Sequence, residues 1–307
     1  MDEIFGMLER LIVEHASKMG IINGHWEKKK VNSLVDAIIA AVIRSEMTFE
    51  EFDECLKKAD SGDVINLEFF NKGGNVWDFI DSNLHPFAKA LWSQRSTAIG
   101  TPNAASGEGE LMFLFLSPDI TMPARGDLDV KGEEIELKGN LARVEGLISG
   151  RQLREETVAL ANRYGLTPNT PHRRPKEQAA ELEKIAHESH WISELAKISS
   201  NDREKFIFEW LRIVSPNATL KHAKKMLSSG FITKEMQKMI VKLLYSNMVS
   251  RGNWSKIIFL GDGSSSIVCT DDLSHFNSLI DSGRISIGGD YFRIWQDFNI
   301  GWYIEPN

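Results

Sequence analysis

The sequence has few cysteines, and their spacing excludes the common cysteine-based sites. Cys55 and Cys269 are the only two in 307 residues, and neither belongs to a CxxC pair or to a Cys/His cluster. The sequence therefore predicts no zinc site, no redox pair and no disulfide framework. Free thiols are typical of a reducing compartment, so we expect an intracellular protein.

Long apolar runs and a signal-peptide pattern are also lacking. The longest apolar stretches, 37–43 and 111–116, are far shorter than the ~20 residues that a membrane-spanning helix needs. The sequence begins Met1-Asp2-Glu3, where a secretory signal would carry basic residues. We therefore expect no membrane partner and a cytoplasmic location.

An excess of positive charge is missing as well. The chain has 36 Lys and Arg against 43 Asp and Glu, which gives a formal charge of -7 at pH 7. A protein with this balance has no general electrostatic attraction for nucleic acid. Any contact with a phosphate polymer must therefore come from local basic patches.

The remaining composition, 42% hydrophobic and 26% charged, is that of an ordinary globular protein. Its periodicity divides the chain into four segments. We expect an N-terminal helical region at 1–95, a core with an acidic hairpin at 96–165, a helical insertion or second domain at 166–251, and a β-rich segment at 252–307 that completes the core. The predicted fold class is α/β (α+β), with extensive helices flanking a sheet.

Two local features of these segments are ambiguous or irregular. The apolar residues from Trp77 to Trp92 predict a helix that is interrupted at Pro86. The run Leu111 to Leu116 is continuously apolar, and periodicity alone cannot decide whether it is a buried helix or a buried strand.

The informative stretch is the alternation of charged and apolar residues at 126–139. Leu128 and Val130 alternate with aspartates, and Ile135 and Leu137 alternate with glutamates and a lysine, so each strand has one apolar and one charged face. Lys131-Gly132 lies between the two strands as a turn. A two- or four-residue loop there pairs Asp129 with Glu134, Leu128 with Ile135 and Asp127 with Glu136. A three-residue loop would shift this register by one.

The predicted register places Asp127 and Glu136 opposite each other on one face. Cross-strand partners have Cβ atoms about 4.5–5.5 Å apart, and like charges at that distance destabilise a sheet unless something offsets them. Carboxylates without Cys or His are the ligands of Mg²⁺, Mn²⁺ or Ca²⁺. Lys138 follows on the same face, about 7 Å beyond Glu136. This set predicts metal-assisted phosphodiester hydrolysis, in which the cations stabilise charge on the phosphate.

The order of these residues resembles a known superfamily. Gly107-Glu-Gly-Glu110, Gly126-Asp127-Leu128 and Glu136-Leu-Lys138-Gly139 are similar to the acidic and E-x-K motifs of the PD-(D/E)XK nucleases, and to a nuclease-like family of tailed bacteriophages. The resemblance covers about 45 residues, 107–150. It implies a restriction-endonuclease-like core and a phage or prophage origin. It also implies Asp127 and Glu136 as Mg²⁺ ligands, with Mn²⁺ as a substitute, Lys138 as the residue that orients water, and Glu110 as a supporting acid.

Three alternatives stay open from the sequence. Pro118-Asp119 is a literal Pro-Asp pair and competes for the first acidic position, although it precedes the hairpin. Asp129 replaces Asp127 if the strand contains a bulge. The third alternative is that the charged face is only the solvated side of an ordinary antiparallel hairpin, which is the usual reason for such alternation.

Basic residues after the hairpin are candidate contacts for a nucleic-acid backbone. Arg143 and Arg151 follow the second strand, and Arg173 and Arg174 lie in the proline-rich stretch 167–175. Exposed arginines of this kind also occur as ordinary solvated surface or linker residues.

The sequence thus predicts a Mg²⁺-dependent DNA phosphodiesterase, with DNA as its partner. The main rival is a phage virion or assembly protein that keeps a nuclease-like fold, binds phage structural proteins and has little or no catalysis. A third hypothesis is a DNA-binding module without cleavage. Metal binding at the hairpin separates the first hypothesis from the second.

Overall fold

The structure is a computed structural model that describes residues 2–22, 28–97, 99, 107, 109–123, 127–138, 142–143, 150–167, 193–229, 234–251, 254–261, 265–288 and 303–306. The chain divides into two compact units. The first comprises residues 1–140, 253–271 and 306–307, and the second comprises residues 141–252 and 272–305. The predicted N-terminal helical region and the predicted acidic hairpin thus lie in one unit.

The helices and strands are numbered in chain order. The helices are α1 (Asp2–Lys18), α2 (Lys28–Arg44), α3 (Phe49–Ser61), α4 (Phe69–Lys72), α5 (His85–Trp92), α6 (Glu110–Leu116), α7 (Gly150–Arg163), α8 (Ser200–Val214), α9 (Leu220–Ser229), α10 (Lys234–Arg251) and α11 (Leu273–Asp281). The strands are β1 (Gly74–Asn75), β2 (Ile120–Thr121), β3 (Leu128–Val130), β4 (Glu133–Lys138), β5 (Ala142–Arg143), β6 (Lys256–Leu260), β7 (Ser265–Thr270), β8 (Ile285–Gly288) and β9 (Tyr303–Pro306).

The first unit is built on a mixed six-stranded sheet in the order β1-β7-β6-β4-β3-β2. β2, β3 and β4 form an antiparallel meander, β6 pairs parallel to β4, and β7 and β1 continue antiparallel. The C-terminal strands β6 and β7 therefore belong to the same sheet as the acidic hairpin. Helices flank this sheet, which confirms the predicted α+β class.

The core of the first unit lies between α1–α6 and one face of the sheet. Leu137 of β4 and Ile258 of β6 are aligned in the parallel pair, and both belong to this core. The alternation of β4 then places Glu136 and Lys138 on the other face. The sheet thus separates the apolar core from the charged residues.

Helix α6 resolves the ambiguity of the apolar run 111–116. All of its residues, Glu110–Leu116, are buried, since it packs against α3 and α5 as well as against β2. Phe113 packs against the rings of Phe69, Phe70 and Trp92. A helix that is apolar all round is stable only when it is enclosed on all sides.

The structure corrects the predicted helix from Trp77 to Trp92. Val76–Phe79 and Ser82–Leu84 are 3₁₀ turns, and a regular helix starts only at His85. Pro86 lies in the first turn of α5 rather than interrupting a longer helix. Proline is well suited to this position because the first-turn N–H groups of a helix have no intrahelical acceptor.

The second unit contains α7–α11 and a three-stranded sheet in the order β5-β9-β8. Its core includes the buried Trp210, whose Nε1 donates to Thr157 Oγ1 at 3.2 Å. Tyr245 of α10 stacks on Phe276 of α11. Across the described residues, no helix is both long enough and apolar enough to cross a membrane.

Candidate active site

The acidic hairpin has the register that its sequence predicts. Leu128 pairs with Ile135 and Asp129 pairs with Glu134. The two turn residues, Lys131 and Gly132, have φ values of 54° and 89°. Two successive left-handed residues define the type I′ turn, whose twist matches that of the flanking strands. The two-residue loop therefore sets the predicted pairing and excludes the one-residue shift.

Asp127 lies just before the first residue pair of the hairpin, at the end opposite the turn. Its backbone N–H donates to the Ile135 carbonyl at 3.2 Å. Its Oδ2 accepts a hydrogen bond from the backbone N–H of Leu137 at 2.7 Å. The side chain is thereby held against β4, next to Glu136. The regular pairing ends at Leu128 and Ile135, and the Asp127 N–H bonds to Ile135, the partner of Leu128, so the predicted Asp127–Glu136 pair is not part of the described ladder.

Glu136 and Lys138 form an ion pair on the charged face of β4. The carboxylate Oε1 of Glu136 contacts the Lys138 ammonium. The side chains are only 19% and 26% exposed, respectively, so this part of the face is not the freely solvated side of a hairpin. The pair therefore lies in surroundings where electrostatic interactions are stronger than in water.

Glu110 is oriented by the glycines that precede it. Its Oε1 accepts a hydrogen bond from the Gly107 N–H at 2.7 Å. A Cβ atom on Gly107 would lie 2.1 Å from that oxygen, so a larger residue there would displace the carboxylate from this position. Gly109 has φ +81°, and a Cβ atom there would lie 2.9 Å from the Trp92 ring. The Gly-x-Gly-Glu motif thus turns the chain tightly against Trp92 and directs the glutamate.

The electrostatics show that these carboxyl groups are close together. Burial, followed by the charge of Asp127 and then that of Glu136, raises the pKa of Glu110 to about 7. Burial and the charge of Glu136 likewise raise the pKa of Asp127 to about 6, against the opposing effect of Lys138. Three carboxyl groups and one ammonium, drawn from α6 and the hairpin, therefore interact in one partly buried cluster. We call Glu110, Asp127, Glu136 and Lys138 the acidic cluster.

The two rival aspartates lie at the turn end of the hairpin. Asp119 forms an ion pair with Lys131, at 3.1 Å between Oδ2 and Nζ, and its carbonyl accepts the Lys131 N–H. Asp129 Oδ1 accepts a hydrogen bond from the Gly132 N–H at 2.7 Å. Both carboxylates thus interact with the turn residues, whereas Asp127 lies beside Glu136.

The acidic cluster suits a divalent cation that needs few protein ligands. No group of three His, Cys, Asp or Glu side chains able to hold a metal occurs among the described residues. Mg²⁺ is commonly bound through one or two carboxylates, together with waters and substrate phosphates. Asp127 and Glu136 supply two, and burial together with the charge of Glu136 raises the pKa of Asp127, which a cation would lower. The donor set and the charge balance therefore fit Mg²⁺ or Mn²⁺.

Glu134 is a further candidate site residue, which the structure identifies and the sequence motifs did not. Its Oε2 is buried and accepts no hydrogen bond from the described residues. Glu134 shares the charged face of β4 with Glu136, two residues further along. The alternation placed it on this face, but no motif distinguished it from its neighbours.

The predicted backbone-binding arginines belong to the other compact unit or lie outside the described residues. Arg143 is in β5 and Arg151 is in the first turn of α7. Arg173 and Arg174 lie outside the described residues. The role of these four residues therefore stays a prediction.

The comparisons with known proteins give no relative from which a role could be transferred. Neither a family model, nor a curated protein, nor a solved structure matches this chain. The function is therefore inferred from the geometry and chemistry of the acidic cluster.

Proposed function

We propose that this protein is a Mg²⁺-dependent phosphodiesterase that cleaves DNA, with Mn²⁺ as a substitute metal. The single observation that carries the proposal is the convergence of the acidic cluster. Burial, followed by the charges of Asp127 and Glu136, raises the pKa of Glu110; burial, followed by the charge of Glu136, raises that of Asp127; and Lys138 is paired with Glu136. A fold does not retain such repulsion for stability, so a functional role is the simplest explanation.

Each residue has a role that its surroundings support. Asp127 and Glu136 would hold the cation, which when bound neutralises phosphate charge and makes a water more acidic. Asp127 Oδ2 is oriented by the Leu137 N–H, which fixes the carboxylate. Lys138 would position the attacking water or stabilise negative charge on the phosphate. Glu110, with a pKa of about 7, would exchange a proton near neutral pH.

The resemblance to PD-(D/E)XK nucleases adds to this argument. Motif order in that superfamily assigns the same four residues that interact here in one cluster. A phage or prophage origin rests on the resemblance alone.

Cleavage of supercoiled and linear DNA tests the proposal. We expect wild-type protein to cleave with Mg²⁺ or Mn²⁺ and to be inactive with EDTA. Glu136→Ala and Lys138→Ala should each lose at least about 100-fold in rate, since general acid–base and electrostatic groups contribute about 10²–10⁴-fold. Asp119→Asn is the matched control, because Asp119 lies next to the same hairpin but at the turn end.

The outcomes separate the hypotheses. Loss of cleavage in both cluster variants, with activity kept in Asp119→Asn, supports the proposal. If activity were lost in Asp119→Asn but kept in Asp127→Asn, the first metal ligand would be Asp119 rather than Asp127. Well-folded wild-type protein without cleavage in either metal would refute the proposal and favour a virion or assembly protein, or a DNA-binding module.

A further inference from the structure

A polar, cationic groove lies beside the acidic cluster in the first unit. It is formed between the N-terminal half of α2 and the segment that follows α5, with a volume of about 780 Å³. Its positive charges come from Lys28, Lys29 and Arg95. We call this surface the α2–α5 groove.

Most of the residues that line the groove carry groups that bind phosphate. Besides the three cations it presents Asn32, Ser33, Gln94 and Thr97. Protein contacts to nucleic-acid backbones are made by Lys and Arg together with Ser, Thr, Asn and Gln side chains. The groove has no aromatic lining among the described residues, which argues against a pocket for a small apolar ligand.

The charge of the groove is positive along most of its length. Asp36 is the one acidic residue among the described lining residues. It lies seven residues after Lys29, which is about 10.5 Å along a helix. Lys28 and Lys29 are exposed, and neither forms an ion pair or a hydrogen bond within the described residues. Their ammonium groups are therefore available to an anionic partner, in a protein whose overall charge is -7.

The groove is held in shape by hydrogen bonds between its two walls. The backbone N–H of Thr97 donates to Ser33 Oγ at 3.2 Å, and Ser33 Oγ lies 3.4 Å from Ser96 Oγ. Gln94 caps the end of α5, because its Nε2 donates to the Ala90 carbonyl at 3.3 Å. The two walls are thus joined at Ser33 rather than separated by a loose loop.

Trp92 brings one end of the groove close to Glu110 of the acidic cluster. The Gly109 N–H donates to the Trp92 carbonyl at 3.1 Å, and Glu110 follows Gly109 directly. Gln94, in the groove, is two residues after Trp92, so their Cα atoms are at most about 7.6 Å apart. The Gln94 end of the groove therefore lies near the N-terminus of α6, where Glu110 is.

We propose that the α2–α5 groove binds the phosphodiester backbone of the nucleic acid and leads it to the acidic cluster. This inference rests on the proposed function, because it identifies where the substrate of that site is held. Lys28, Lys29 and Arg95 contact phosphates, and the neutral polar side chains donate hydrogen bonds to the backbone. Recognition through these groups is independent of base sequence.

Binding is measured without cleavage, by fluorescence anisotropy of a labelled duplex in EDTA at several salt concentrations. The test variant is Lys28→Ala/Lys29→Ala/Arg95→Ala in the full chain. The matched control is Lys18→Ala/Lys57→Ala/Lys72→Ala, which removes the same charge from exposed positions of the first unit outside the groove lining. Three lost phosphate contacts should reduce the salt slope by about 2.7. Between 50 and 200 mM salt, wild type should then lose about 40-fold more affinity than the groove variant.

A second readout separates substrate binding from chemistry. Cleavage of long DNA by the groove variant should show a raised KM, whereas hydrolysis of the small diester bis(p-nitrophenyl) phosphate should be unchanged. A small diester cannot occupy the groove and the acidic cluster together, so its rate reports only the cluster.

The results distinguish failure of the groove proposal from failure of the proposed function. Equal affinity losses in the groove variant and the surface control, or no loss in either, would overturn the groove proposal even if wild type cleaves DNA. Polyglutamate that competes as effectively as DNA would also overturn it and indicate an acidic protein partner. Salt-sensitive DNA binding that depends on the groove, without any metal-dependent cleavage, would support the groove proposal and refute the proposed nuclease activity.

Discussion

Replacing Glu110 with glutamine should stabilise the protein at alkaline pH. Glutamine keeps the size of the side chain and an oxygen that accepts the Gly107 N–H, but it removes the charge. Glu110 is only 9% exposed and lies near two other carboxylates. The ionised form of this residue therefore costs folding free energy, and Glu110→Gln removes that cost.

The magnitude follows from the pKa of Glu110. Burial and the neighbouring charges raise it from 4.5 to about 7. Since one pKa unit corresponds to about 1.36 kcal/mol, ionisation of Glu110 destabilises the fold by about 3 kcal/mol. The folded state binds more protons than the unfolded state between these two pKa values, so stability falls as the pH rises through this window. The full cost is present above pH 7 and absent below pH 4.5.

Urea unfolding at pH 4, 6 and 8.5 in EDTA, followed by tryptophan fluorescence, measures this effect. We expect Glu110→Gln to match wild type at pH 4 and to exceed its free energy of unfolding by about 3 kcal/mol at pH 8.5. Glu68→Gln is the control, because Glu68 is 57% exposed in a surface pair with Lys72 and should change stability little at any pH. A gain that is equal at all three pH values, or no gain at pH 8.5, would refute the reasoning.

Three further predictions concern the acidic cluster, the glycine that precedes Glu110, and the buried His15 of α1. At 100 times its Kd, Mg²⁺ should stabilise wild type by about 2.7 kcal/mol at pH 8 and so raise its Tm. It should not raise the Tm of Asp127→Asn. Gly109→Ala should destabilise by at least about 2 kcal/mol, because alanine is strained at φ +81° and its Cβ meets the Trp92 ring. Burial lowers the pKa of His15 below 6.5, so wild type should lose stability as the pH falls below 6.5. In urea unfolding between pH 5 and 7, the free energy of unfolding of His15→Asn should depend less on pH than that of wild type.

Each of these predictions has a result that contradicts it. If Mg²⁺ raised the Tm of wild type and of Asp127→Asn equally, the cation would bind at another site. Gly6→Ala is the control for Gly109→Ala, because Gly6 is in α1 and has nothing within 4 Å of its Cβ position. This substitution should stabilise the protein by about 0.5–1 kcal/mol. Equal effects at the two glycines would refute the strain argument. A pH slope that is unchanged in His15→Asn would show that His15 does not titrate on unfolding.

The hairpin could be predicted in detail because its determinants are local. Alternation assigns each side chain to a face, and Lys131-Gly132 fits a two-residue turn, which together set the register. The register places Asp127 next to Glu136 from the sequence pattern alone, and the same rule places Lys138 on the same face. Only contacts between residues close in the chain were needed for these steps.

The apolar run 111–116 and Pro86 could not be assigned in the same way. A continuously apolar run satisfies either a helix or a strand, and only the packing of α6 against α3, α5 and β2 decides between them. Pro86 is compatible with an interrupted helix or with a helix start. The turns at Val76–Phe79 and Ser82–Leu84 make it a helix start.

The sequence by itself determined the α+β class, the register of the acidic hairpin and the pair of carboxylates that it holds together. The tertiary structure decided the parallel pairing of β4 with β6, the approach of Glu110 to the hairpin, and the groove between α2 and the end of α5. The physical reason is the range of the interactions. Turn conformation and side-chain alternation act between neighbouring residues, whereas long-range pairing and burial depend on how the whole chain packs.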